Sequence, residues 1–198
     1  MSKRDPDKPV VLSRIYTRVG DDGGTALGDG SRTAKTDPRL AAYADVEEAN
    51  AAIGTALALG DPPDDVRTLL GRVQNELFDV GADLCCPVVP DPEFPPLRVD
   101  DDYVRRLEDA CDTHNAGLPT LRSFILPGGS PTAALLHTAR VVTRRAERST
   151  WAAIEAHGDS VNPVTARYLN RLSDLLFILC RVVSRDTGEV LWKPGGQR

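Results

Sequence analysis

Three arginines at i, i+4 and i+8, Arg140, Arg144 and Arg148, stand in the run ARVVTRRAER (139–148), with Glu147 among them. At about 100° per residue they share one arc of a helix, while Leu135, Ala139, Val142, Ala146 and Ala153 take another face. Like charges stacked in this way weaken a helix unless anions or carboxylates answer them. Planar guanidinium groups suit two-pronged phosphate binding, so the run reads either as a phosphate site or as a solvated basic face tempered by Glu147. A second candidate is YTRVGDDGGTALGDG (16–30), with glycines at 20, 23, 24, 28 and 30. Glycines let backbone approach a ligand, and the N–H groups with the Thr17 and Thr25 hydroxyls can donate to phosphate oxygens. Arg18, Arg32 and Lys35 supply charge nearby. The spacing is neither GxxxxGK(S/T) nor GxGxxG, so neither a P-loop nor a Rossmann turn is supported, and a flexible Gly-rich arm is the alternative.

Two further segments carry polar groups in apolar settings. YLNRLSDLLFILCRVV (168–183) is coated by leucines, with a narrow stripe of Asn170, Asp174 and Arg181 running through it. Buried polar groups need partners, so the stripe faces either ligand-binding groups or a structural hydrogen-bond network. AAYADVEEANAAIG (41–54) sets Asp45, Glu47, Glu48 and Asn50 among alanines. These carboxylates either pair with the arginines of 139–148 or form a solvated acidic face.

The elements that must position these groups are helices. The segment 39–59 is Ala-rich and ends at Gly60 with Pro62 and Pro63 just beyond, a helix with a stop signal. Val66, Leu69, Leu70, Val73, Leu77, Val80 and Leu84 recur with helical spacing through 64–84. Five prolines between 87 and 96 enforce an irregular connection. A shorter helix fits 100–114. Ser130 and Pro131 suit the cap and first position of a long helix running to His157, which Gly158 ends. A fifth helix is expected over 163–186. The fold class is therefore all-α, a five-helix bundle of four long helices and one shorter one. With 198 residues, one domain is expected: a nucleotide-covering segment at 1–38, the bundle at 39–186 and a tail at 187–198.

Composition excludes several classes. A net charge of −5 leaves no general basic footprint for nucleic acid, so any anion site must be local. No apolar stretch reaches the roughly 18 residues of a membrane span. The N-terminal MSKRDPDKPV has charge but no apolar run behind it, so no secretory signal is expected. Cys85, Cys86, Cys111 and Cys180 form no CxxC pair, which suits reduced, mostly buried thiols in a cytoplasmic protein. The scattered His114, His137 and His157 do not suggest a His-rich metal site, and His137 reads as an ordinary helix residue.

Taken in order, these segments resemble the propanediol-utilisation type of ATP:cob(I)alamin adenosyltransferase. The matching motifs are a T-(K/R)-x-G-D-x-G loop at 17–23 and Lys35 in AKTDPRL. A DELN-like stretch follows at Glu47-Glu48-Ala49-Asn50, then FILPGG at 124–129, ARxxxRRAER at 139–148 and LNRLSD at 169–174. The likeness spans about residues 15–185. It implies a homotrimer of five-helix bundles with ATP held between subunits and cobalamin as the acceptor.

Carried over by position, the nucleotide-binding residues are Thr17, Arg18, Val19, Gly20, Thr25, Ala26 and Lys35 on the loop side. Arg144, Arg145, Glu147, Arg148 and Asn170 take that role on the bundle side. Phe124 matches the aromatic that displaces cobalamin's lower base, and Lys35 and Arg144 stand where charge develops on departing triphosphate. Mg²⁺ on the ATP phosphates shares that work, with no side-chain ligand assigned to it. Two departures are Glu47, where the family has Asp, and Ala44, where it has Gly; the implied pair of Glu47 with Arg140 therefore acquires one more methylene. A cobalamin reductant and an adenosylcobalamin-dependent mutase are the implied partners. Three other readings compete. A non-catalytic carrier of cobalamin or ATP needs no leaving-group stabilisation. A di-iron bundle needs Glu-x-x-His pairs that this sequence lacks. A helical adaptor leaves the Gly-rich segment unexplained.

Overall fold

A computed structural model describes Tyr16, residues 18–92 and residues 95–195. Its elements follow local capping chemistry closely. Helix α1, Pro38–Leu59, opens with Asp37 accepting from the Arg39 amide and Pro38 in the first turn. Helix α2, Asp64–Cys85, starts with Asp64 and Asp65, whose charges suit a helix N-terminus. Helix α3, Asp101–Asn115, is capped by Asp100. Helix α4, Pro131–His157, is capped by Ser130, and Gly158 ends it at φ 56°. A 3-10 turn, Gly158–Ser160, leads into helix α5, Val164–Val182.

Burial follows the expected helical period. On α2, Val66, Leu70, Val73, Leu77, Val80 and Leu84 are buried, and on α5 the side chains of Tyr168, Leu169, Leu172, Leu175, Leu176 and Leu179 are fully enclosed. Each such side chain contributes about 1.5–3 kcal/mol relative to exposure. The inner face of α1 is built differently, from Ala42, Val46, Ala49, Ile53 and Ala56, and it meets Ala139, Ala146 and Ala153 of α4. Small residues on both sides let these two helices run close together and antiparallel. The pair is fastened at three levels: His157 to Asp37 (2.7 Å), Ser149 to Asp45 (2.5 Å) and Thr132 to the Gly60 carbonyl (2.9 Å).

Two features depart from the sequence expectation. Strands β1, Gly24–Ala26, and β2, Arg32–Ala34, pair antiparallel with Thr25 opposite Thr33. At three residues each, they are too short to show a period. Helix α5 stops at Val182 rather than reaching 186. Arg185, Asp186 and Thr187 are exposed and offer no apolar face to continue it. Instead Gly188 turns at φ 77° with its N–H on the Ser184 carbonyl, and Ile125 and Leu191 form an antiparallel bridge. The tail thus folds back along the FILPGG segment. Among the described residues no helix is long and apolar enough to cross a membrane.

Candidate functional site

The Gly-rich segment folds into the β1–β2 hairpin and presents Lys35 at its exit. The Lys35 amide donates to the Gly23 carbonyl at 2.8 Å, and the side chain lies against Gly20, where a Cβ would come within 3.0 Å of the ammonium nitrogen. Gly20 is therefore the residue that makes room for this cation. Arg18 adopts φ 63° and sits over the Tyr16 ring at 5.7 Å. Val19 is exposed at the turn, and Ala26 at the end of β1. Thr17 lies outside the described residues. Thr25, Lys35, Thr36, Asp37, Leu40, Ala41, Tyr43 and Ala44 bound an open cavity of about 410 Å³. Asp37 is fastened there by the Thr33 hydroxyl (2.7 Å), the Arg39 amide (2.8 Å) and His157 Nε2 (2.7 Å). Burial alone would raise its pKa, but these donors outweigh it and hold the carboxyl below its ordinary value.

The arginines of α4 divide among three environments instead of sharing one. Arg144 and Arg148 are exposed. Arg145 turns to α1, where it pairs with Asp45 at 3.2 Å and with Glu48. Arg140 is half-buried, its guanidinium 5.9 Å from the Phe177 ring centre, and its Nε is buried without a hydrogen-bond partner. Glu147 accepts from Asn170 of α5 at 3.1 Å, so these two residues meet as the sequence suggests.

The expected Glu47–Arg140 pair is not formed within the chain. Asp45 and Glu48, two and one positions away, are the α1 carboxylates that face α4. Glu47 lies in the groove between α1 and α2 with Phe78, Asn50 and Cys85. One helical position rotates a side chain by about 100°, which is enough to move it from one neighbour to the other. The polar stripe of α5 is divided as well. Asp174 pairs with Arg171 at 2.7 Å on the surface, whereas buried Arg181 donates to Glu189 and to the Pro119 carbonyl, both at 2.7 Å.

Phe124 is 77% exposed. Its ring meets Trp192 edge-on at 6.1 Å, while its carbonyl accepts from the Trp192 amide at 2.7 Å. Leu126, Val190 and Leu191 are also exposed beside it. The returning tail thereby makes an apolar shelf around Phe124. Trp192 was not singled out by sequence reasoning; the triplet Val190–Leu191–Trp192 after Gly188 is the signal that a short strand lay there. Asp37 and His157 were missed too, because residues 120 positions apart carry no local pattern.

The bundle therefore carries three separated features. The hairpin with Lys35 lies where α1 begins, exposed arginines lie midway along α4, and the Phe124 shelf lies where α4 begins. The Lys35 turn meets the end of α4 at His157, whereas Arg148 and Arg144 lie roughly 14 and 20 Å back along that helix. The chain is thus an all-helical protein whose Gly-rich loop is neither a P-loop nor a Rossmann turn.

Known proteins identify its family. The chain belongs to the cobalamin adenosyltransferase family, whose profile matches residues 15–183. It is 63% identical over 189 residues to the corrinoid adenosyltransferase of Mycobacterium tuberculosis, covering 96% of this chain and 97% of that one. The corrinoid adenosyltransferase of Bacillus subtilis is 41% identical over 178 residues, with 88% and 89% covered. Among solved structures, a single-residue variant of the Lactobacillus reuteri PduO-type ATP:corrinoid adenosyltransferase, complexed with cobalamin and ATP, superimposes with a TM-score of 0.83. It is 32% identical and covers 91% of this chain and 99% of its own.

Proposed function

We propose that this chain transfers the 5′-deoxyadenosyl group of ATP to Co(I) of cobalamin, forming adenosylcobalamin and releasing triphosphate. The observation that carries the reading to a place on the molecule is Phe124, 77% exposed with Trp192 beside it. A phenylalanine so exposed contributes little to the core, which removes the simplest structural explanation for it. An apolar shelf of this kind suits the lower face of a corrin ring, with Phe124 standing where the displaced base would otherwise reach cobalt. Co(I) then attacks the 5′ carbon of ATP with its electron pair. The carbon–oxygen bond to triphosphate breaks, and the leaving group takes that bond's pair.

Lys35, Arg144 and Arg148 are the groups whose preplaced charge meets the departing triphosphate. Thr17, Arg18, Val19, Gly20, Thr25 and Ala26 cover the nucleotide. Arg145, Glu147 and Asn170 line the bundle side, Arg145 through its hold on α1. Among the described residues no cluster of three or more acidic, Cys or His side chains is placed for a metal. Mg²⁺ on the ATP phosphates would neutralise part of their charge.

Lys35 and the exposed arginines stand apart along the α1–α4 pair of one chain, which supports a homotrimer with each nucleotide held between neighbours. In that arrangement Glu47 of one subunit would pair with the guanidinium of Arg140 in the next. A cytoplasmic setting, a cobalamin reductant and an adenosylcobalamin-dependent mutase complete the reading.

The test is incubation with ATP and chemically reduced cobalamin, following the absorbance change of adenosylcobalamin; binding of both without that change would make the protein a carrier. Phe124→Ala sharpens it. Adenosylation starting from Co(II) should fall well below that starting from Co(I), with the melting temperature unchanged, since reduction needs the lower ligand removed. Equal losses in both assays would take Phe124 out of the mechanism.

A further inference from the structure

His157 is in the last turn of α4, and Asp37 is two residues beyond Lys35. Their 2.7 Å contact spans 120 positions of sequence. The remaining partners of the Asp37 carboxylate, Thr33 and the Arg39 amide, lie within four residues of it. With the Asp37 amide on the Ala34 carbonyl (3.0 Å), residues 33–37 form one closed turn whose outer residue is Lys35. His157 is thus the side chain that ties this turn's carboxylate to a distant element of the bundle. The contact is 15% exposed at Asp37 and 28% at His157, enough shelter to hold a fixed geometry.

Asp37 and Lys35 also border the same 410 Å³ cavity. A carboxylate there opposes an entering triphosphate unless its charge is turned toward donors. Asp37 is held ionised by its partners, so His157 must present Nε2–H to it. The neighbouring guanidinium of Arg39 does not take this place. It is spent on the Leu84 carbonyl (2.9 Å) and on Ser160 (2.8 and 3.1 Å).

We propose that His157, acting through Asp37, is a positioning residue for ATP binding: it anchors the turn that presents Lys35 and draws the Asp37 charge away from the nucleotide. The proposal rests on reading the Lys35 hairpin as the ATP half-site. His157 touches no substrate, so its loss acts through the turn that carries Lys35, chiefly weakening the hold on ATP and leaving the corrin side of the site unchanged.

The experiment measures kcat and both KM values for the wild type, Lys35→Ala, His157→Ala and His157→Gln, with melting temperatures alongside. For His157→Ala the KM for ATP should rise roughly five- to tenfold, the loss of one charge-assisted hydrogen bond. Because Lys35 also meets the departing triphosphate, a smaller fall in kcat should accompany it, while the KM for cobalamin should stay within about twofold, since corrin binding does not use the anchored turn. Gln places an amide donor near the position of Nε2, so His157→Gln should recover most of the ATP affinity. A wild-type KM for ATP in His157→Ala, while Lys35→Ala is impaired, would overturn the positioning role and leave the half-site standing. If Lys35→Ala itself behaves as wild type, the half-site reading fails. Matching losses in His157→Ala and His157→Gln, spread over both KM values with a lowered melting temperature, would reduce the contact to a structural fastener.

Discussion

A buried histidine with one ring nitrogen unpaired is a base that resists its proton. His137 is such a group, 5% exposed with Nδ1 unpartnered and its ring edge-on to Phe177. Burial lowers its pKa from the ordinary 6.5, and the Arg140 charge lowers it further. The unfolded chain therefore binds this proton more readily than the folded one, and stability falls as pH drops below about 6.5 toward the lowered folded value. Asp37 and Asp29, whose pKa values are depressed below 3.8, lose their contribution only at more acid pH. Between pH 7.5 and 5.5 the urea midpoint of the wild type should thus fall more steeply than that of His137→Leu. Parallel slopes would show that His137 does not govern this window. Sequence alone assigns His137 to an ordinary helix position, since the helical period gives its angle but not what α5 lays over it. The same limit applies to the arginines. Their spacing puts them on one arc of α4, yet Arg140 is half-buried beside Phe177 while Arg144 and Arg148 are exposed.

At the scale of elements, the helices were legible and their fasteners were not. Apolar residues repeating through α2 and α5 fix a period, and Ser130–Pro131 and Gly158 mark the ends of α4, so these bounds could be read directly. Three-residue strands offer no period to read. Nor does Asp83, a fully buried carboxylate in the last turn of α2, next to Leu84 and Cys85. It takes Arg98 (2.5 Å), the Val99 amide (2.8 Å) and Asn162 (2.7 Å), joining α2 to the start of α5 and to the irregular connection before α3. Asp83→Ala takes the acceptor from the Val99 amide and from Asn162 and the counter-charge from Arg98, which keeps the carbonyls of Asp83, Cys86 and Pro87. At about 1–3 kcal/mol per stranded donor, the total is about 3–5 kcal/mol. Asp83→Ala should therefore lower the melting temperature by roughly 10 °C in a chain of this length. A shift of only a degree or two would mean that water replaces the carboxylate and the network is dispensable.

For the whole molecule, the governing fact is the separation of Lys35 from Arg144 and Arg148 along one antiparallel helix pair. Exposed Phe78, Trp151 and Val141 on the outer faces give such a bundle apolar surface to place against a neighbour. If a loop from one chain serves the arginines of the next, damage becomes a property of pairings and not of chains. A Lys35→Ala protein keeps intact arginines, and an Arg144→Ala protein keeps an intact loop. Unfolded together and refolded as a mixture, two preparations that are each inactive should regain activity. In an equal, randomly assorted population, roughly a quarter of the junctions join a sound loop to a sound helix in the cyclic arrangement proposed. Recovery toward that fraction, absent when the two are mixed without exchange, is the signature of a composite site. A doubly substituted chain added as the third component should dilute the recovered activity in proportion. Two defects within one gene product would then be more harmful than the same two carried on separate copies.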